Sequence, residues 1–269
     1  MKPAFAIAAA VLCALAVPAG AEETLTGIAA PPGHVFKTIY SGYQFRSKET
    51  RALQDDDMEN PGFLAIERAA DQWSAVEGAA GQSCASCHGK AEESMKGVGA
   101  KTPKWSAALG KPVNLEQQIN ICRSERMKAA PWPFKSQTLT DMTTYVRLQS
   151  RGMPVNVQID GPMAPWFEKG KELYYERVGQ LDLACASCHE TNFGLHLRAD
   201  LLSQGQSNGF PTYRLRDQRL VPLHERFEGC MHDVRAVPYA PLSDEFLALE
   251  VYLAWRGVGL PVETPAVRN

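Results

Sequence analysis

The sequence predicts a mostly α-helical protein built from two copies of one unit behind an N-terminal extension. Three observations predict it. The pentapeptide Cys-Ala-Ser-Cys-His occurs twice, at 84–88 and 185–189; a helical stretch with apolar spacing precedes each copy; and a second one follows, closing on Arg-Gly and then Met/Leu-Pro-Val. Self-similarity of this length, with the marks in the same order, is the signature of a repeated structural unit and not of a recurring short motif.

The elements follow in chain order. Residues 1–21 carry basic Lys2, an apolar run from Ala4 to Val17 and small residues Ala19-Gly20-Ala21, the pattern of a cleavable secretory signal peptide; Cys13 would be lost with it. Removing it takes one lysine and no acids, so the formal charge of −2 becomes −3, which gives no reason to expect nucleic acid. No later stretch is long and apolar enough to span a bilayer. Residues 22–58 form an extension, with the charged run SKETRALQDDDMEN, that belongs to neither copy and reads as a strap over a domain or a subunit contact. The first unit occupies 59–156: Asn60-Pro61 opens a helix carrying Phe63, Leu64, Ile66 and Trp73, and LTDMTTYVRLQSRGMPV closes it, with Thr140 at the capping position. The join concentrates proline and glycine between Met153 and Pro165. The second unit occupies 157–269: Pro165 opens a helix carrying Phe167, Leu173 and Tyr174, and LSDEFLALEVYLAWRGVGLPV closes it behind Ser243.

The pentapeptides carry the chemistry. Two thiols three residues apart each form a thioether to one haem vinyl group, and the imidazole that follows lies beneath the iron. Cys84 and Cys87 are thus expected to hold one covalent c-type haem with His88 as axial ligand, and Cys185 and Cys188 a second with His189. A zinc site or redox dithiol needs no histidine directly after the second cysteine, twice. Helix, attachment motif, irregular wrapping segment and closing helix together resemble the cytochrome c fold, here in tandem.

Across each iron a second ligand is needed. Two cysteines remain once the attachment pairs and Cys13 are set aside, and they stand at matching places, Cys122 before RSERMKAAPWPF and Cys230 before MHDVRAVPYAPL. Other readings stay open at this level: a Cys122–Cys230 disulfide, methionine ligation by Met127, Met142 or Met231, or histidine ligation by His196, His224 or His232. A thiolate donates strongly to ferric iron and lowers its potential, which suits chemistry better than electron relay alone. Arg226 lies four residues before Cys230, on one face of any helix through both, where its guanidinium lowers the thiol's proton affinity and offers paired N–H donors to an oxyanion. Arg214, Arg216, Arg219 and Arg235 add positive charge nearby in sequence.

With RFEGCMHDVRAVPY at 226–239 behind the second CxxCH, the whole mature chain resembles SoxA, the dihaem cytochrome c subunit family of the bacterial sulfur-oxidising system. The resemblance implies an L-cysteine S-thiosulfotransferase that pairs with a small haem protein, SoxX. Its activity would conjugate thiosulfate to a cysteine of the carrier SoxYZ in the periplasm and pass two electrons through haem to an acceptor cytochrome c. It implies His88 and Cys122 as axial ligands of the first haem, and His189 and Cys230 of the second. Cys230 would also be catalytic, as a persulfide, with Arg226 holding the substrate anion. The first copy has Gln118 where Arg226 would stand, which points to catalysis in the second copy only. A thiosulfate dehydrogenase forming tetrathionate and a pure dihaem electron-transfer cytochrome are the rival functions; a dihaem peroxidase lacks an identifiable distal acid–base pair.

Overall fold

The computed structural model describes residues 25–198 and 200–269, so the predicted signal peptide lies outside the described residues. The chain folds mostly as helix, with short strands: α1 Lys48–Asp55, α2 Phe63–Ser74, α3 Cys84–His88, α4 Ala91–Ser94, α5 Leu115–Ile121, α6 Gln137–Leu148, α7 Ala164–Tyr175, α8 Cys185–His189, α9 Leu223–Asp233 and α10 Asp244–Arg256. Two helix pairs form the frame, α2 on α6 and α7 on α10. Small residues allow the approach: a Cβ on Gly170 of α7 would stand 2.0 Å from the Ala248 carbonyl oxygen of α10. Each pair builds a core, Trp73, Leu115, Met142 and Tyr145 in the first, Tyr174, Phe227, Phe246 and Tyr252 in the second. Both cores reach the attachment helices, through Cys84 and Ala85, and through Cys185 and Ala186.

The same local devices recur between the pairs. Gly78 and Gly179 both adopt left-handed backbone, and a Cβ on either would meet the carbonyl oxygen of Met127 or Val234 at 2.2 Å. The residues after each glycine donate to the chain beyond the candidate cysteine: Ala79 and Ala80 to Lys128 and Met127, Gln180 and Leu181 to Arg235 and Val234. A three-residue antiparallel hairpin precedes each cysteine helix, Lys104–Ser106 with Lys111–Val113 and Thr212–Arg214 with Arg219–Val221. The second gains a parallel third strand, Ala266–Arg268. The two halves meet through their matching Met/Leu-Pro-Val segments: Gly152 N donates to Val262 O and Val262 N to Met153 O, both at 2.9 Å. Val155, Val262 and Ala254 bury the seam.

One expectation changes in detail. The helix expected behind Thr140 begins four residues earlier: the Ser136 hydroxyl accepts from Leu139 N at 3.3 Å, and Thr140 lies buried within α6, its Oγ1 donating to Ser136 O. Ser243 does cap α10. Residues after α5 continue as a π-helix, Cys122–Met127, which takes up one more residue before the turn than the unbroken α9 does after Cys230.

The extension packs largely on the second half, with Asp57 reaching Arg151 of the first. Tyr40 N donates to Gln204 Oε1 at 3.0 Å, Arg46 Nη2 to Leu201 O at 2.6 Å, and Val267 N to Gln54 Oε1 at 3.0 Å. No described helix is long and apolar enough to cross a membrane.

Where the halves meet, Glu116 of α5 and Arg147 of α6 face Glu250 of α10 across a cavity of about 30 Å³. Burial and then the Glu250 carboxylate raise the Glu116 carboxyl to about 7 from its ordinary 4.5, against the opposing pull of His224. The folded chain therefore keeps a proton that the unfolded chain releases above pH 4.5. Stability contributed by this site is present below that pH, falls as pH rises through the window, and stays lost above about 7. Glu116→Gln, which cannot ionise, is expected to match the wild type at pH 4 and exceed it at pH 8 by on the order of 2 kcal/mol. Denaturant unfolding at the two pH values checks this; an equal difference at both would refute it.

Candidate functional site

The second pentapeptide forms one helical turn whose start is fixed locally: Ser187 N donates to Ala184 O, and Ala184 N to Ser187 Oγ at 3.1 Å. That turn aims Cys185, Cys188 and His189 at α9, where Cys230 stands near both thiols. The His189 ring is held on its other side. Nδ1 donates to Ser203 O at 2.9 Å, which turns the other ring nitrogen, the one a metal-binding imidazole would use, toward Cys230. Gly205, in left-handed backbone, lets the chain pass the ring: a Cβ there would lie 2.7 Å from His189 Cγ.

Cys230 is half-buried in α9. Burial pushes its thiol up, but the Arg226 guanidinium one turn earlier and the His189 imidazole outweigh it and bring the thiol down from 9.0 to about 7. A large share of Cys230 is thus thiolate near neutrality. Arg226 in turn is held more firmly protonated, first by Cys230. Among the described residues its guanidinium makes no hydrogen bond or ion pair, and the side chain is only half-buried. The site therefore presents a soft nucleophilic sulfur beside a free forked cation, suited to an anion whose reacting atom is sulfur.

The first pentapeptide is capped more tightly, with reciprocal bonds between Ser83 and Ser86. Cys122 lies close to Cys84, and Gln118 Nε2 donates to its sulfur at 3.5 Å. A neutral amide thus stands by Cys122 at the position that the Arg226 guanidinium takes before Cys230. Trp73 Nε1 donates to Gly89 O, and its ring packs on His88.

The other sequence candidates go elsewhere. All six described cysteines are free thiols, Cys122 and Cys230 each beside its own attachment motif. Met142 is buried in the first core, Met127 is buried in the turn of the π-helix, and Met231 packs into the second core. His224 has both nitrogens engaged, Nε2 with Glu250 Oε2 at 2.9 Å and Nδ1 accepting from Leu242 N. His196 and His232 are exposed. Arg219 pairs with Glu225, Arg216 with Asp217, and Arg235 is exposed, so these three do not turn toward Cys230; Arg214 does approach Arg226. Ser203 and Gly205 escaped sequence reading, since nothing local marks a carbonyl or a gap.

These residues fit a c-type haem. Burial and then the charge of Cys230 push the Cys185 thiol up to about 12, an environment that suits an uncharged thioether. A porphyrin needs from the protein two attachment thiols and side chains facing its iron, and Cys185, Cys188, His189 and Cys230 supply those residue types together.

Comparison with known proteins agrees. A family model described as SoxA/TsdA, cytochrome c domain, matches residues 68–155 and brings c-type haem with it. The chain is 54% identical over 246 residues to the L-cysteine S-thiosulfotransferase subunit SoxA of Pseudaminobacter salicylatoxidans, covering 91% of this chain and 86% of that one. It is 49% identical to the subunit of the same name from Paracoccus pantotrophus, covering 93% and 87%. Its fold matches a chain of the crystal structure of SoxXA from P. pantotrophus with a TM-score of 0.88, over 92% of this chain and 94% of that chain. Relatives of one name at this identity, matched along nearly their whole length, establish that the chain belongs to the SoxA family.

Proposed function

We propose that this chain is the catalytic, dihaem subunit of an L-cysteine S-thiosulfotransferase, exported to the periplasm behind a signal peptide at 1–21. In this reading the recurring elements are two cytochrome c domains, 59–156 and 157–269, behind the extension at 22–58. Each domain would hold one covalent haem, through His88 and Cys122 in the first and His189 and Cys230 in the second. A SoxX-like small cytochrome c completes the enzyme, which the name of the matched complex supports, and a SoxYZ-like carrier supplies the second sulfur as the cysteine that the relatives' name calls for.

The observation that carries the proposal is the face of α9 on which Arg226, with no hydrogen-bond or ion-pair partner among the described residues, stands one turn from Cys230 opposite His189. The overall reaction joins the sulfane sulfur of thiosulfate to the carrier's cysteine sulfur, with release of the thiol proton and two electrons. Haem, when bound, supplies one-electron acceptors that pass this pair to an acceptor cytochrome c. Arg226 binds the sulfonate end and orients the sulfane sulfur toward Cys230. Cys230, as thiolate or persulfide, offers the sulfur through which the new bond is made, and the same guanidinium offsets charge on the reacting oxygens. The test is mass analysis of the carrier after incubation of the complex with thiosulfate and ferric acceptor. A thiosulfonate adduct on the carrier cysteine is expected; tetrathionate with an unmodified carrier would transfer the assignment to a thiosulfate dehydrogenase.

Gly205 gives a second check on the His189 side. Gly205→Ala puts a methyl group into the His189 ring at a backbone angle that disfavours it, so the Ser203 hydrogen bond cannot survive unchanged. Expected are a perturbed second-haem absorption spectrum and a loss of about 1–3 kcal/mol in stability, with the first-haem spectrum unchanged. An unaltered spectrum of both haems would show that His189 is not held from this side.

A further inference from the structure

The helix that carries Cys230 has a second face, and both halves of the molecule grip it. Arg226 and Cys230 stand four residues apart on one side of α9; His224 and Glu228, also four apart, fall on the opposite side. His224 is buried in the first turn and held from the second half, with Nδ1 accepting from Leu242 N at 3.0 Å and Nε2 lying 2.9 Å from Glu250 Oε2. One turn on, two residues from Cys230, the grip comes from the first half. Glu228, whose side chain is 17% exposed, pairs with Lys135 Nζ at 2.5 Å, and the neighbouring Phe134 ring lies 6.2 Å from that of His224.

Lys135 stands on a fixed base. Residues 130–132 are fastened back to the Cys122 turn: Arg123 Nε donates to Ala130 O at 3.0 Å, its guanidinium lies 3.6 Å from the centre of the Trp132 ring, and Asn120 and Trp132 exchange two hydrogen bonds at 2.8 and 2.9 Å. Lys135 and Leu242 are equivalent residues, each directly before the serine that caps its closing helix and each in left-handed backbone, at φ 65° and 62°. Such an angle is met most easily by glycine. Both positions carry a side chain instead, and both residues reach this one face of α9.

We propose that Lys135 is a positioning residue for the reaction at Cys230: through Glu228 it sets the rotation of α9 against α8. The first half, which has Gln118 and not an arginine beside its own cysteine, thereby takes part in the chemistry as the back support of the catalytic helix. The inference rests on the thiosulfotransferase reading given above. Arg226 and Cys230 ride on one turn, so a rotation that moves the sulfur from His189 also swings the cation that orients the substrate.

The experiment uses the assembled haem-loaded complex with Lys135→Met, Lys135→Glu, and the charge exchange Lys135→Glu with Glu228→Lys. Thiosulfate KM and kcat for carrier loading, optical and paramagnetic resonance spectra of both haems, and the thermal midpoint are measured on each. K135M is expected to lower kcat about tenfold with covalent haem content unchanged. K135E, which sets two carboxylates against each other, should lower it further and shift the second-haem resonance while the first-haem signal stays. The charge exchange keeps the total reach of the pair and is expected to restore kcat to within about threefold of the wild type. A merely structural brace would lower the thermal midpoint and leave kcat per loaded complex and the second-haem spectrum unchanged, a result that would overturn the proposal. So would a charge exchange as impaired as K135E alone, which would show that the ammonium does not act through Glu228. Absence of carrier loading by the wild-type complex would instead refute the underlying reading, while the second-haem spectra of the variants would still decide whether Lys135 sets α9.

Discussion

Cys230→Ser is expected to lower carrier loading by at least about 10³-fold while leaving haem covalently attached at both Cys-Ala-Ser-Cys-His motifs. In the proposed reading the attachment thiols are those of Cys185 and Cys188, which the substitution does not touch. What changes is the atom facing His189: a serine hydroxyl has neither the polarisable sulfur that forms sulfur–sulfur bonds nor an acidity that Arg226 could bring near neutrality. The second-haem spectrum should change with it, because a hydroxyl is a weaker donor to ferric iron than a thiolate. Cys122→Ser provides the internal comparison. Its neighbour at the equivalent position is the neutral amide of Gln118 at 3.5 Å, so no cation waits there for an anionic substrate. Loading activity is expected to stay within about threefold of the wild type, with only the first-haem spectrum altered. Steady-state kinetics together with optical and paramagnetic resonance spectra of the two variants decide the matter. Comparable activity losses in both would remove the distinction between the copies.

That distinction was legible in the sequence because it depends on spacing along a helix. Arg226 and Cys230 are four apart, and α9 runs unbroken through both, so the intervening turn brings their side chains to one face. The two pentapeptides were legible for a related reason: thioether geometry would constrain residues close in sequence, and each pentapeptide folds as the same five-residue helix. The one-residue offset between the copies was visible only as an uneven distance to the following proline. Its cause is the π-turn from Cys122 to Met127, a backbone choice that leaves no composition mark. Contacts made by distant segments were not legible at all. Ser203 supplies a carbonyl, Gly205 an absence of side chain, and Arg46 a guanidinium carried across from the extension, none of which needs a local pattern. Thr140 shows propensity losing to context: it reads as a cap, yet Ser136 four residues earlier takes that role and draws Thr140 into the core.

Arg256→Met is expected to destabilise the second half by about 3–5 kcal/mol, far more than an average substitution. Arg256 is the last residue of α10, and its side chain is 0% exposed. Nη1 lies 2.5 Å from Oε1 of Glu190, the residue directly after His189, whose own side chain is 11% exposed. Tyr175 OH donates to both oxygens of the same carboxylate, at 2.9 and 3.1 Å, and the guanidinium lies 4.5 Å from the centre of the Tyr174 ring. One side chain thus ties the end of the attachment turn to the closing helix and to α7. Methionine fills much of the same volume, so the cost is not mainly a cavity; it is a carboxylate left buried without its cation. The double variant Arg256→Met, Glu190→Gln follows from that cause and is expected to regain more than half of the loss, since the amide keeps Tyr175 as a donor and carries no charge. Chemical denaturation of the haem-loaded single and double variants measures both numbers. A double variant as unstable as Arg256→Met alone would show that packing on Tyr174, and not charge pairing with Glu190, is what Arg256 contributes.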